Sequence, residues 1–326
     1  MNHRVSKWSW CAMGLGAWLA VSGPVWAADA KSGQIGTLTA VEGAVQVFAY
    51  PSTKFDGPSP RVLFENSYYT FLDGKAGQRV DAGYIVRTAP DAKARIVYDN
   101  GDQFYLGGGS AYQVAWKTKS AVTETDIKLL YGRLRGVVAK GGPRSHMVIH
   151  TRSAVMGVRG TDFVIADPGA GPGPTEVAVL RGQVEVRTNG VKVAAQQIPA
   201  GQTAEVAPAA AEIETHASSQ EELVGIRKFS TIQAVVQAVN DETSQKLEVL
   251  EKKAVESTLH DIRDYDPKLY AKLQAGGAQT VQDLNAQAIE SLVREAPKAK
   301  PNRKPYKNEL EDDRAGNYDK FYPKSE

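Results

Sequence analysis

The chain has 326 residues, 42% hydrophobic and 23% charged, so it can bury a real core and is neither collagen-like nor wholly disordered. Thirty-nine Lys and Arg against thirty-seven Asp and Glu leave a net charge of +2, which speaks against nucleic-acid binding, a function that needs a strong positive field. The single cysteine, Cys11, lies in the first apolar run.

That opening reads as an export signal. Arg4 and Lys7 form a basic start, an apolar run follows from Cys11 to Val21, and Val25-Trp26-Ala27 is a small-residue cleavage site. Cleavage near Ala27 is expected, giving a periplasmic or secreted protein without thiol or disulfide. The run is too short for a comfortable membrane span, and no later segment offers a transmembrane anchor.

From 33 to 207 the chain alternates short β-branched segments with Gly, Pro, Asn and Asp, the pattern of an all-β domain. Val45-Gln-Val47, Ala94 to Tyr98, Arg133 to Val138, Met147 to Ile149, Phe163 to Ile165, Val177 to Leu180 and Val184 to Val186 are expected strands. Asn189-Gly190 predicts a type I′ hairpin into Val191-Lys-Val193, and Asp99-Asn100-Gly101-Asp102 a second reversal. Leu38 to Val47 aligns with Val177 to Val186, each a strand, a glycine (Gly43, Gly182) and a second strand; Leu130-Tyr-Gly132-Arg-Leu134 is a weaker copy. The expected fold is therefore mainly β, a sandwich or β-roll with a solenoid as alternative.

Residues 219–295 carry helical periodicity. Leu223, Ile226, Phe229, Ile232, Val236 and Val239 form one apolar stripe, Asp266-Pro267 opens a short helix closed by Gly276-Gly277, and Thr280 opens another stopped by Pro297. The stripe needs a cover, either the β domain of the same chain or another copy of the helix. Residues 296–326 are charged and poor in aliphatics, as in a flexible tail.

Gly77 to Thr88, Ala94 to Gly101, Thr151 to Val164, Val179 to Val186 and Pro199 to Gln202 resemble, in that order, the FecR domain family, whose most recognisable signature corresponds here to Val158, Arg159, Gly160, Thr161, Asp162 and Phe163. The resemblance implies an extracytoplasmic β domain, of the kind known from regulators that sense an outer-membrane receptor and signal to a sigma factor. The ten residues before the apolar run leave no room for a cytoplasmic sigma-binding part, so an interaction or signalling module in the envelope is expected, with an envelope protein or cell-wall component as partner.

No nucleophile elbow, phosphate loop or paired-carboxylate motif appears, and neither enzymatic activity nor a cofactor is expected. Gly107-Gly108-Gly109-Ser110 reads as a hairpin connection. His146 and His150 flank a strand, where four residues span roughly 13 Å, too far for one metal ion. Phe48 to Phe71 holds seven of the chain's 26 aromatics and is the best candidate binding surface, centred on Phe55, Phe64, Tyr68 and Tyr69. Arg159-Gly160-Thr161 is read as a glycine bend whose neighbours fasten adjacent strands. Homo-oligomerisation through the helices and carbohydrate binding at the cell wall are the alternative readings.

Overall fold

A computed structural model describes residues 34–55, 61–119, 122–140, 147–171, 173–233, 239–277 and 280–298. The expected signal segment and all of the tail beyond Lys298 lie outside the described residues, as do His146 and Val236. Eighteen strands come first: β1 (Gln34–Glu42), β2 (Val45–Ser52), β3 (Arg61–Phe64), β4 (Ser67–Asp73), β5 (Arg79–Asp81), β6 (Ile85–Thr88), β7 (Lys93–Tyr98), β8 (Gln103–Leu106) and β9 (Ala111–Lys119). Then follow β10 (Val122–Val137), β11 (Met147–His150), β12 (Ala154–Val158), β13 (Asp162–Asp167), β14 (Thr175–Arg181), β15 (Gln183–Thr188), β16 (Gln196–Pro199), β17 (Gln202–Val206) and β18 (Glu214–Ala217). Four helices close the described chain: α1 (Gln220–Ser230), α2 (Asp241–Tyr265), α3 (Pro267–Gly276) and α4 (Val281–Glu295).

The strands form two layers that share β10. One runs β5-β1-β7-β8-β10-β13-β14-β17-β18, antiparallel throughout. The other runs β3-β4-β2-β6-β9-β10-β11-β12-β15-β16, and its β10–β11 pair is parallel. The first half of β10 pairs in the second layer and its last six residues, Gly132 to Val137, in the first. Between the layers lies one buried cluster, to which Leu38, Ile96, Phe104, Phe163 and Val177 contribute from the first layer and Val47, Val114, Ile127, Met156 and Val186 from the second. The hydroxyls of Tyr98 and Tyr112 hydrogen-bond each other inside it, so neither phenol is left unpaired.

Why the chain turns where it does is visible in its glycines. Gly43 separates β1 from β2, Gly132 divides β10, Gly160 precedes β13, and Gly182 separates β14 from β15, so each marks a passage between layers. All four have positive φ, between 64° and 102°, a region that costs a side chain roughly 1–2 kcal/mol. The internal similarity in the sequence is thus a repeated corner of a sandwich. Gly107 to Ser110 also connects the layers, from β8 to β9, and is not a hairpin within one sheet.

The helices lie on the outer face of the first layer. Leu223, Ile226 and Phe229 of α1, with Ile232 beyond it and Ile289 of α4, pack on Ala40, Tyr105, Val137, Val164, Ala178 and Leu180. Leu250 and Ala254 of α2 and Val281 of α4 cover Val97. Strands of this covered sheet are consequently buried on both faces, as in β7 and β13, whereas β15 of the open sheet alternates buried and exposed residues. Among the described residues, the apolar stripe from Leu223 to Ile232 is covered by the β domain of the same chain. It is not one helix, however: α1 ends at Ser230, and Asn240 caps the next helix through the N–H of Thr243. Asp266 and Thr280 cap α3 and α4 as their positions predict, and Gly277 ends α3 in a left-handed conformation.

One turn differs from expectation. Gly190 has φ 74° but Asn189 does not share a positive φ, and no strand occupies Val191 to Val193; β15 instead pairs with Gln196–Pro199. The type I′ turn occurs at Glu65 and Asn66, φ 46° and 62°, between β3 and β4.

Candidate functional site

Two places concentrate side chains that the fold alone does not require. The first is the edge of the open sheet formed by β2, β3 and β4. Here β2 bulges after Ala49, Tyr50 adopts φ 53°, and the Arg61 guanidinium donates to the carbonyls of Tyr50 (2.6 Å) and Tyr68 (2.7 Å), pinning β3 to its neighbours. Several apolar side chains of this edge are exposed. Phe55 is 68% exposed, Tyr50 and Leu63 each 60%, and Phe71 41%. Phe55 meets the half-buried Tyr68 edge-to-face at 5.3 Å, and the half-buried Phe64 meets Phe48 at 5.4 Å. Tyr69 is different: it is 2% exposed, packed with Phe48, Ile85 and Ala111 in a small cluster, and its hydroxyl accepts from Gln113. It is not part of the exposed surface, whereas Tyr50 is exposed against Tyr84, and Leu63 is exposed on the other face of the edge, opposite Tyr68. Leu63 carried no aromatic signal in the sequence, and only its outward register on β3 reveals it.

The second place is the corner where β12 leads into β13. Val158 and Phe163 are buried core residues, and the Asp162 carboxylate is completely buried. Arg135 of β10 donates to it twice, Nε at 2.9 Å and Nη2 at 2.8 Å, and Arg181 stands 3.1 Å away. Burial opposes ionisation of Asp162, yet the charges of Arg135 and Arg181 together hold its carboxyl below the ordinary value. From Arg135 a chain of hydrogen bonds crosses to the helices: Arg135 Nη2 donates to Asn285 of α4 (3.0 Å), Asn285 to the Tyr105 hydroxyl (3.0 Å), Tyr105 to Gln103 (2.8 Å), and Gln103 to Thr258 of α2 (2.8 Å). The signature acid therefore anchors the helical layer to the sheet.

Beside it, Gly160 supplies the bend. A Cβ at this position would stand 2.5 Å from Cα and Cβ of Lys140, and the Gly160 carbonyl accepts from the Tyr265 hydroxyl at 2.8 Å. Thr161 fastens strands through its backbone, accepting from Val138 N–H at 2.9 Å, whereas Arg159 does not: its side chain is exposed and points at a cleft of about 1170 Å³. Gly160→Val is expected to lower the melting temperature of the protein, costing about 2–4 kcal/mol from left-handed strain plus the clash. An unchanged melt with altered ligand or partner binding would instead make this corner a recognition element.

Asp261 of α2 lies behind the same corner. Burial is the main reason its carboxyl is pushed up to about 7, against the lowering influence of Arg181 and of the Lys140 N–H, with Asp162 and Asp102 raising it further. Elsewhere, His150 stands 3.4 Å from Asp126, and His216 3.3 Å from Glu205; no group of three His, Cys, Asp or Glu with metal-ligand geometry occurs among the described residues.

The FecR protein family matches residues 84–185, a span holding Arg135, the signature and Arg181. Two crystal structures from Parabacteroides distasonis ATCC 8503, described as candidate anti-sigma factors, are similar to parts of the chain. One, at 2.50 Å, is 16% identical over 41% of this chain and 59% of its own, with a TM-score of 0.35. The other, at 1.65 Å, is 15% identical over 44% of this chain and 64% of its own, with a TM-score of 0.36. The chain thus spans less than two thirds of either structure's length. No curated protein matches it. The Gly160 corner and the buried Asp162 fall within the matched span, and residues 84–185 are thus similar to the FecR protein family.

Proposed function

We propose that this protein is an exported, non-enzymatic FecR-type interaction and signalling module of the bacterial envelope, and that a protein partner docks on the aromatic edge of its open sheet. The observation that carries this reading is the exposure of apolar side chains around β3, which pairs only with β4 among the described strands: Phe55 and Leu63 flank Tyr68 on one face of that edge, and Phe71 stands beside Phe48 on the other. Aromatic side chains supply large contact area at small entropy cost, and an edge strand adds unpaired backbone groups to the recognition surface. The signal-like start supports export, and the FecR match supports a role in regulation rather than catalysis. Self-association through the helices has less support, because the stripe it would need is spent on the covered sheet.

A photo-crosslinking residue at position 55, placed in intact cells, tests this. Capture of a defined envelope protein is expected, with affinity for that protein lowered about tenfold or more by Leu63→Asp, as for a hot-spot residue. The mature amino terminus is expected at Ala28. Labelling of cell-wall glycan alone would transfer the site to carbohydrate binding, and an intact Met1 form held in the inner membrane would overturn the soluble, exported reading.

A further inference from the structure

The cleft at the signature corner is a separate feature from the aromatic edge, built by other elements. Three cationic residues converge there from three chain segments that touch. Lys140 follows β10, Arg159 precedes Gly160, and Arg181 precedes Gly182; a Cβ on Gly160 would meet Lys140, and one on Gly182 would meet the Gly160 carbonyl at 2.8 Å. All three line the cleft. Arg159 and Lys140 are exposed and neither side chain has a carboxylate partner among the described residues; Lys140 Nζ lies 5.7 Å from the centre of the Tyr265 ring. Arg181 stands behind them, 6% exposed, with no hydrogen bond from any of its three guanidinium nitrogens.

The acids nearby do not cancel this charge. Asp162 accepts two hydrogen bonds from Arg135 and stands 3.1 Å from Arg181, so one carboxylate is shared between two guanidiniums and one positive charge of the three groups is left over. Asp266, on the rim, accepts from the N–H of Leu269 as the cap of α3. Glu185 and Glu295 are exposed members of the lining, on β15 and α4. Apolar walls continue from the cations: Met147, Val158, Leu269 and Leu292. A cleft with two exposed cations at its mouth, a third behind them in a low-dielectric setting and an apolar floor fits a ligand with a compact, doubly charged oxyanion head and an apolar body.

We propose that this cleft binds a phosphate monoester carrying an apolar chain, its phosphate held by Arg159 and Lys140 in the field of Arg181. Arg159 offers a planar fork for two phosphate oxygens and Lys140 a point charge for the third. Arg181 acts through its charge, since its nitrogens are shut off from the cleft surface. The inference is independent of the aromatic edge, and either can fail alone.

Titration calorimetry of the mature protein with octyl phosphate, inorganic phosphate and octyl glucoside tests it. Octyl phosphate is expected to bind at one saturable site, inorganic phosphate to bind more weakly at the same site, and octyl glucoside not to compete. Arg159→Glu and Lys140→Glu change exposed side chains without carboxylate partners among the described residues, and each is expected to weaken octyl phosphate about tenfold or more, the loss of a charge-assisted hydrogen bond, with thermal melts confirming that Lys140→Glu, which also removes the contact with the Tyr265 ring, stays folded. Ser291→Trp, on the helical wall of the cleft, is expected to block the apolar body and leave inorganic phosphate binding in place. Equal affinity for octyl phosphate and inorganic phosphate would make the ligand a free phosphate and overturn the apolar part. Undiminished binding in both charge variants, or octyl glucoside binding as well as octyl phosphate, would overturn the site.

Discussion

Arg135→Met is expected to destabilise the protein by about 3–5 kcal/mol, the cost of leaving a fully buried carboxylate without its hydrogen-bond donors. Asp162 would retain only Arg181, which stands 3.1 Å away without a hydrogen bond to it. The link to Asn285 would go as well, so the loss should appear both in the melt of the sheet and in hydrogen-exchange protection of α4. Arg135→Lys keeps the charge but cannot reproduce the paired contacts, and its loss should be intermediate. Chemical denaturation measures both, and a cost below about 1 kcal/mol for Arg135→Met would show that Asp162 does not anchor the helical layer.

Asp261→Asn is expected to act in the opposite direction, increasingly so as pH rises above about 4. The native carboxyl, pushed up to about 7 from the ordinary 3.8, keeps a proton that the unfolded chain has already released between those values. Stability therefore falls as pH rises from about 4 to about 7, by about 1.4 kcal/mol per unit and about 4 kcal/mol in all from this group, and is flat above that window. Asp162 works below it: with its folded value depressed, its contribution is present above 3.8 and lost as pH falls further. Denaturation midpoints at pH 5 and pH 8 should differ in the wild type and converge in Asp261→Asn, with the variant the more stable protein at pH 8. A wild type equally stable at both pH values would mean that Arg181 holds Asp261 ionised throughout.

Much of the architecture is legible in the residues. Open-sheet strands alternate, and the helix caps Asp266 and Thr280 are local chemistry that depends on no distant partner. Covered-sheet strands read as continuous apolar runs, which announce burial on both faces but not what does the burying. The stripe of α1 likewise specifies a buried face, and only the three-dimensional arrangement selects Tyr105, Val164 and Leu180 as its cover. Asp162 stands out within the signature, yet its donor Arg135 lies 27 residues before it and Asn285, which Arg135 also holds, lies 150 residues beyond Arg135, past any pattern along the chain. Tyr69 and Phe71 illustrate a finer limit: two residues apart on one strand, they share a face, yet the first is buried in a cluster with Phe48, Ile85 and Ala111 and the second is left half-exposed beside Phe48. The Asn189-Gly190 hairpin fails for a similar reason, since β15 finds its partner further along at β16.

The placement of the helices sets an order for how the protein comes into being. All eighteen strands precede α1, and the 78 residues from Ser218 to Glu295 complete the cover. Until those helices dock, the sandwich presents Tyr105, Val137, Val164 and Leu180 to water, with Arg135 and Asp162 unroofed between them. A chain ending before α1 would therefore keep a sheet whose outer face is apolar, and such a truncated product is expected to aggregate.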